Sequence, residues 1–125
     1  MSVVLDAGAL IGVDRRSRRV EDLLELARRS GETLRTPSPI VGQVWRNGSR
    51  QAGLARLLER IDVLDVSHDH ARRAGELLGA AGGSDVVDAL VALAARGGDT
   101  VLTSDPEDIS RLLDARGQRA RVVAV

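Results

Sequence analysis

Four short runs of apolar, largely β-branched residues recur along the chain, SVVLD (2–6), IDVLDV (61–66), TVLT (100–103) and RVVAV (121–125), and a less apolar segment rich in β-branched residues, TLRT (33–36), reads as a short second strand between the first two. Each is of strand length, and the intervals between them carry the i, i+3, i+4 apolar spacing of helices. Strands alternating with helices in the order βαβαβαβαβ imply a mainly parallel sheet with helices on both sides, reached by right-handed crossovers. The expected fold is therefore α/β, a five-stranded sheet flanked by helices.

The helical intervals have identifiable starts and stops. A short helix is expected over Ala9–Val13, then a charged connection, DRRSRR (14–19), and a helix over Val20–Arg29 stopped by Ser30-Gly31. Ser38 as cap and Pro39 in the first turn begin a helix carrying Ile40, Val41, Val44 and Trp45. After the break at Asn47-Gly48-Ser49, helical spacing resumes over Gln51–Arg60. Ser67 caps the next helix, which runs through Leu78 into a turn at Gly79–Gly83. Ser84 is expected to cap Asp85–Ala95, so apolar that little polar face is left, and Ser104-Asp105-Pro106 opens the last helix.

At 125 residues the chain fits one domain, residues 1–125, with one core. Phe, Tyr and Cys are absent and Trp occurs once, so Leu, Val, Ile and Ala must fill that core. Without cysteine there is neither a disulfide framework nor a thiolate metal site. No apolar run approaches the roughly 20 residues of a membrane span, and the N-terminal residues lack a signal-peptide pattern, so a cytoplasmic protein without a membrane partner is expected. All 18 basic residues are Arg and are matched by 18 acidic ones. This balance gives no overall basic footprint for nucleic acid, so any contact with phosphate must come from local arginine clusters.

The acidic residues are more informative. Asp6 ends the first apolar run, Asp85 and Asp88 lie at the start of the most apolar helix, and Asp105 follows the TVLT run. Open α/β sheets collect ligand groups at the carboxyl ends of their strands. Several carboxylates gathered there repel one another in a partly dehydrated cleft unless a cation neutralises them. Oxygen donors alone favour a hard divalent ion. Helix capping is the alternative for Asp6, Asp85 and Asp105, because a helix N-terminus stabilises a carboxylate by roughly 0.3–1 kcal/mol. It is weaker for Asp88, which interrupts the apolar stretch VVDALVALAA.

With LDAGALI near the amino terminus, DALVALAA past the middle and VLTSDPEDI beyond it, nearly the whole chain resembles the PIN-domain ribonucleases, especially the VapC-like toxins of bacterial toxin-antitoxin pairs. The resemblance implies a PIN-like three-layer sandwich and an Mg2+- or Mn2+-dependent endoribonuclease. Asp6, Asp88 and Asp105 match its catalytic, metal-holding acids, with Thr103 and Ser104 beside the last. It also implies an RNA substrate, a cognate antitoxin protein and a homodimer. Gln43 stands where such chains commonly carry Glu, and Ala7-Gly8 replace the usual hydroxyl residue after the first aspartate. A neutral Gln43 would orient water or substrate but weaken metal affinity, leaving Asp85 as an auxiliary charge. The alternative is a catalytically weak or silent PIN-like domain that binds RNA or a protein partner.

Arginines at 15, 16, 18 and 19, and at 46 and 50 beside Trp45, are candidates for phosphate contacts at the rim of such a cleft, Arg15 and Arg46 above all. Trp45 reads as a packing residue in the core or at a dimer contact. His68 and His70 in SHDH fall on different faces of a helix start and read as capping or surface groups.

Overall fold

The computed structural model describes residues 1–125. Its strands are β1 (Ser2–Leu5), β2 (Thr33–Pro37), β3 (Asp62–Leu64), β4 (Thr100–Thr103) and β5 (Arg121–Ala124). They form one sheet in the order β3-β2-β1-β4-β5, every neighbouring pair parallel, with Val4 paired to Arg35 on one side and Val101 on the other. The helices are α1 (Ala7–Asp14), α2 (Arg18–Arg29), α3 (Ser38–Val44), α4 (Ala52–Leu58), α5 (His68–Ala81), α6 (Val86–Ala94) and α7 (Pro106–Arg116), with a 3-10 turn at Gly48–Arg50.

Strand order fixes the layers. The chain moves outward from β1 to β2 and β3, then returns across the sheet to β4 and β5, so right-handed crossovers place α1 to α4 on one face and α5 to α7 on the other. The packing agrees: α1 touches α2, α3 and α4, while α5, α6 and α7 pack together. This is a three-layer α/β sandwich. With both faces covered, β1 is buried throughout and shows no polar alternation. Leu5, Leu10, Ile40, Leu54, Ile109 and Leu112 are among the fully buried side chains. Each contributes roughly 1.5–3 kcal/mol by leaving water. Gly12 lets α1 approach α2, since a Cβ there would lie 2.5 Å from Val20 Cγ2. No single helix is long and apolar enough to cross a membrane.

The element order matches the sequence reading, while several boundaries move for local reasons. Asp6 acts as the N-cap of α1, which begins at Ala7 rather than Ala9. Pro37 holds the cap position of α3 without a side-chain bond, and Ser38 is its first helical residue. β3 is limited to three residues because its partner β2 ends at Pro37, opposite Leu64. α5 continues past Gly79 to Ala81, and the turn is made by Gly82 and Gly83, with φ of 78° and 122°. Asp85, not Ser84, caps α6: its Oδ1 accepts from the backbone N–H of both Val87 and Asp88.

Candidate metal centre

The strand order reverses between β1 and β4, and the carboxyl ends of these two strands open a crevice there. Asp6 follows β1 directly and is 3% exposed. Its backbone N–H donates to the carbonyl of Leu102 in β4 at 3.0 Å, which locks the start of α1 against the neighbouring strand. Its carboxylate is equally constrained. Oδ1 accepts from the Ala7 N–H at 2.7 Å, and Oδ2 accepts from the hydroxyl of Thr103 at 2.7 Å. The same Thr103 oxygen accepts the N–H of Asp105 at 2.9 Å, so one buried hydroxyl ties the two acidic segments together. On the other side, Thr36 Oγ1 donates to the carbonyl of Leu5 at 2.7 Å, fixing the end of β1 just before Asp6.

Asp105 occupies the N-cap position of α7 but makes no side-chain capping bond, which leaves its exposed carboxylate free. Asp88 comes from the first turn of α6, in the same helical layer as α7 and on the face of the sheet opposite α1. Because α6 leads back into β4, its N-terminal turn stands at the same edge of the sheet as the carboxyl ends of the strands. One oxygen from each of Asp6, Asp88 and Asp105 lies within 4.8 Å of the others. Such a cluster can coordinate a divalent cation.

The electrostatics of the cluster favour such an ion. Burial raises the pKa of Asp6; the bonds from Thr103 and Ala7 oppose that rise, and the charges of Asp105 and Asp85 add to it. Half-buried Asp88 is pushed to about 7, first by desolvation and then by the charges of Asp85, Asp6 and Asp105. Two carboxyls that burial and mutual repulsion hold back from ionising, beside the oxygen donors of Asp105, form a set that a hard cation would satisfy.

The remaining candidates are distributed around this centre. Asp85 is exposed and serves α6 as its cap, yet its charge is felt by both Asp6 and Asp88. Ser104 is exposed beside Asp105, and Gly8 is required there: a Cβ at residue 8 would lie 2.8 Å from the Ser104 side chain and 3.0 Å from its backbone nitrogen. Gln43 is exposed on α3 and lines a shallow groove with Asp14, Arg15, Arg46, Asn47 and Arg50. None of the three clustered aspartates lines that groove.

Sequence reasoning missed Gln51, which organises the groove wall. Its buried side-chain oxygen accepts from the N–H of Arg46 and Asn47 at 2.8 and 3.0 Å, while its amide donates to Val44 O and Asp14 Oδ2. A glutamine at a helix start gives no sequence signal for such a role. His70 completes a capping box with Ser67, as expected for a capping group, and Trp45 is 38% exposed, covering Gly48 instead of filling the core.

Thr103→Val should keep the shape of the site while removing both of its hydrogen bonds. Buried Asp6 and the Asp105 N–H then lose a partner, and urea unfolding should report a loss of about 1–3 kcal/mol. Thr103→Ser, which retains the hydroxyl, should recover most of it.

The chain superposes along 100% of its length on 99% of a chain in the crystal structure of VapBC2 from Rickettsia felis bound to a DNA fragment from their promoter, with a TM-score of 0.70 and 16% identity. That likeness is one of fold. No curated relative matches the chain by sequence. The PIN domain model matches residues 3–112, a span that begins in β1 and ends in α7 and therefore contains all three clustered aspartates. The chain belongs to the PIN-domain family.

Proposed function

We propose that this protein is a divalent-metal-dependent endoribonuclease, the VapC-like toxin of a toxin-antitoxin pair. The observation that carries the reading is the convergence of Asp6, Asp88 and Asp105 at the β1–β4 crevice of a PIN-domain chain. An all-oxygen donor set from separate elements suits Mg2+ or Mn2+. Bound there, the ion would lower the pKa of a coordinated water and offset charge on the scissile phosphate.

The chain's own groups do the positioning. Thr103 and the Ala7 N–H hold the Asp6 carboxylate in one orientation. Asp88, titrating about 7, releases its proton when a cation occupies the site. Asp105 supplies a carboxylate that no cap has claimed. Arg15 and Arg46, at the groove that also holds Gln43, contact the RNA backbone, and Gln43 orients water or substrate. Asp85 contributes charge at the rim, and Ser104 stands beside Asp105. An antitoxin partner belongs to the same proposal, in keeping with the likeness in fold to a chain of VapBC2; a homodimer and a cytoplasmic location are proposed with it on the family resemblance.

The test pairs binding with turnover. Wild type should take up Mn2+ in calorimetry and cleave a mixed single-stranded RNA pool, and EDTA should stop the cleavage. Asp6→Asn should do neither; retention of both would refute the assignment. The neutral Gln43 favours a second reading, a domain with little or no turnover that binds RNA or protein. Gln43→Glu separates the two: a charge-starved site should gain about tenfold in Mn2+ affinity, about 1.4 kcal/mol, together with cleavage. Tighter metal without cleavage favours the silent domain.

A further inference from the structure

A second concave site lies on the α5–α7 side of the sheet, beside the C-terminal half of α6 rather than the first turn that carries Asp88. It is a cavity of about 380 Å3 with Leu64, Val66, Leu90 and Leu93 as apolar walls. Its polar lining consists of Arg35, Arg96, Arg116, His70 and a single carboxylate, Asp65.

The arginines have a partial structural explanation. The residue after α6, Ala95, is extended and its N–H closes no capping bond, so the final carbonyls of the helix need other donors. Arg35 Nη1 donates to Ala94 O at 2.8 Å, and Arg116 Nη1 donates to Ala92 O at 2.9 Å and also to Ala95 O. These bonds use one nitrogen of each guanidinium. The other nitrogens, and the whole Arg96 side chain, have no protein acceptor within hydrogen-bond distance.

Charge at the cavity is also unbalanced. The one ion pair among these arginines is Arg35 with Asp99, at 3.9 Å, and the Asp99 oxygens already accept from the N–H groups of Ser2 and Arg96. Neither Arg96 nor Arg116 is paired with any carboxylate. Burial depresses the pKa of Arg35 and of Arg116, and the neighbouring Arg96 charge adds to the effect on Arg35. His70 adds a further donor: its Nδ1 accepts the Ser67 N–H at 3.3 Å, so the neutral ring carries its proton on Nε2. Guanidinium forks beside an aliphatic wall suit an anionic head on a non-polar body.

We propose that this cavity is a binding site for a small organic anion, a phosphate or carboxylate head carried on a compact apolar or planar body. The head lies against Arg96 and Arg116, and the body packs on Leu90 and Leu93. The site is separate from the metal centre and does not depend on its activity.

Calorimetry on the full chain in EDTA, with AMP, benzoate and inorganic phosphate as probes, tests this. One of the two organic anions should bind with one-to-one stoichiometry and more tightly than inorganic phosphate. The stronger of the two identifies the head group as phosphate or carboxylate. Arg96 is exposed, so Arg96→Gln leaves the fold intact, and it should weaken binding by about tenfold or more. Asp88→Asn should leave binding unchanged. The proposal is overturned if neither organic anion binds, if inorganic phosphate binds as tightly, or if Arg96→Gln binds as well as wild type.

Discussion

Asp88→Asn is expected to reduce RNA cleavage by about a hundredfold or more while making the metal-free protein more stable. The two effects have one origin. Asp88 is held among Asp85, Asp6 and Asp105, and its pKa moves from 3.8 to about 7. A carboxyl whose folded pKa exceeds its unfolded value is fully accommodated below about pH 4. Its contribution is lost progressively as pH rises towards 7, and above 7 the charged form burdens the native state in full. The shift itself corresponds to roughly 4 kcal/mol; solvent at this half-buried group screens it to about 2 kcal/mol at neutral pH.

Urea unfolding in EDTA should therefore show wild type losing stability across that window and Asp88→Asn losing much less. At neutral pH the variant should melt roughly 5 °C or more above wild type. Saturating Mn2+ should reverse the ranking, because only wild type retains the full ligand set. If both proteins show the same pH dependence without metal, Asp88 is not the strained carboxyl.

Arg35→Met is expected to destabilise the protein by about 3 kcal/mol while leaving the metal-binding residues in place. Arg35 is 7% exposed in the middle of the sheet, an unusual position for a guanidinium. It is retained there because it satisfies the Ala94 carbonyl at the uncapped end of α6 and faces Asp99. Methionine fills comparable volume, leaves that carbonyl without its donor and removes the cation nearest a buried carboxylate. Chemical denaturation should report the loss, and Mn2+ affinity measured well below the unfolding midpoint should change little. A loss below about 1 kcal/mol would mean that the two N–H donors on Asp99 already neutralise it.

The two variants separate what is legible in a sequence from what is not. Asp6, Asp88 and Asp105 stand out because each carboxylate interrupts or ends an apolar segment; local helix capping offers a reason for Asp6 and Asp105 but not for Asp88. The family resemblance points to the same residues, and the structure brings them together. Asp85 also stands out, but its helix-capping bonds use Oδ1 and keep it at the rim. Arg35 gives no comparable signal. In TLRT it reads as a polar residue in a short strand, and its value depends on the distant end of α6 and on Asp99. Gln51 and Thr36 are silent for the same reason: their partners, Val44 and Asp14 for one and Leu5 for the other, become neighbours only after the chain has folded.

Sequence alone determined the alternation of strand and helix, the parallel sheet covered on both faces, and the three acids at the carboxyl edge. Hydrophobic period and residue type are local properties, and five strand-like segments joined by helical ones leave few other solutions. The strand order, the reversal between β1 and β4 that opens the crevice, and the approach of three carboxylate oxygens to within 4.8 Å of one another were decided by tertiary structure. So was the use of Arg35 and Arg116 to close α6. These depend on which distant backbone groups remain unsatisfied after packing, and no local pattern encodes that.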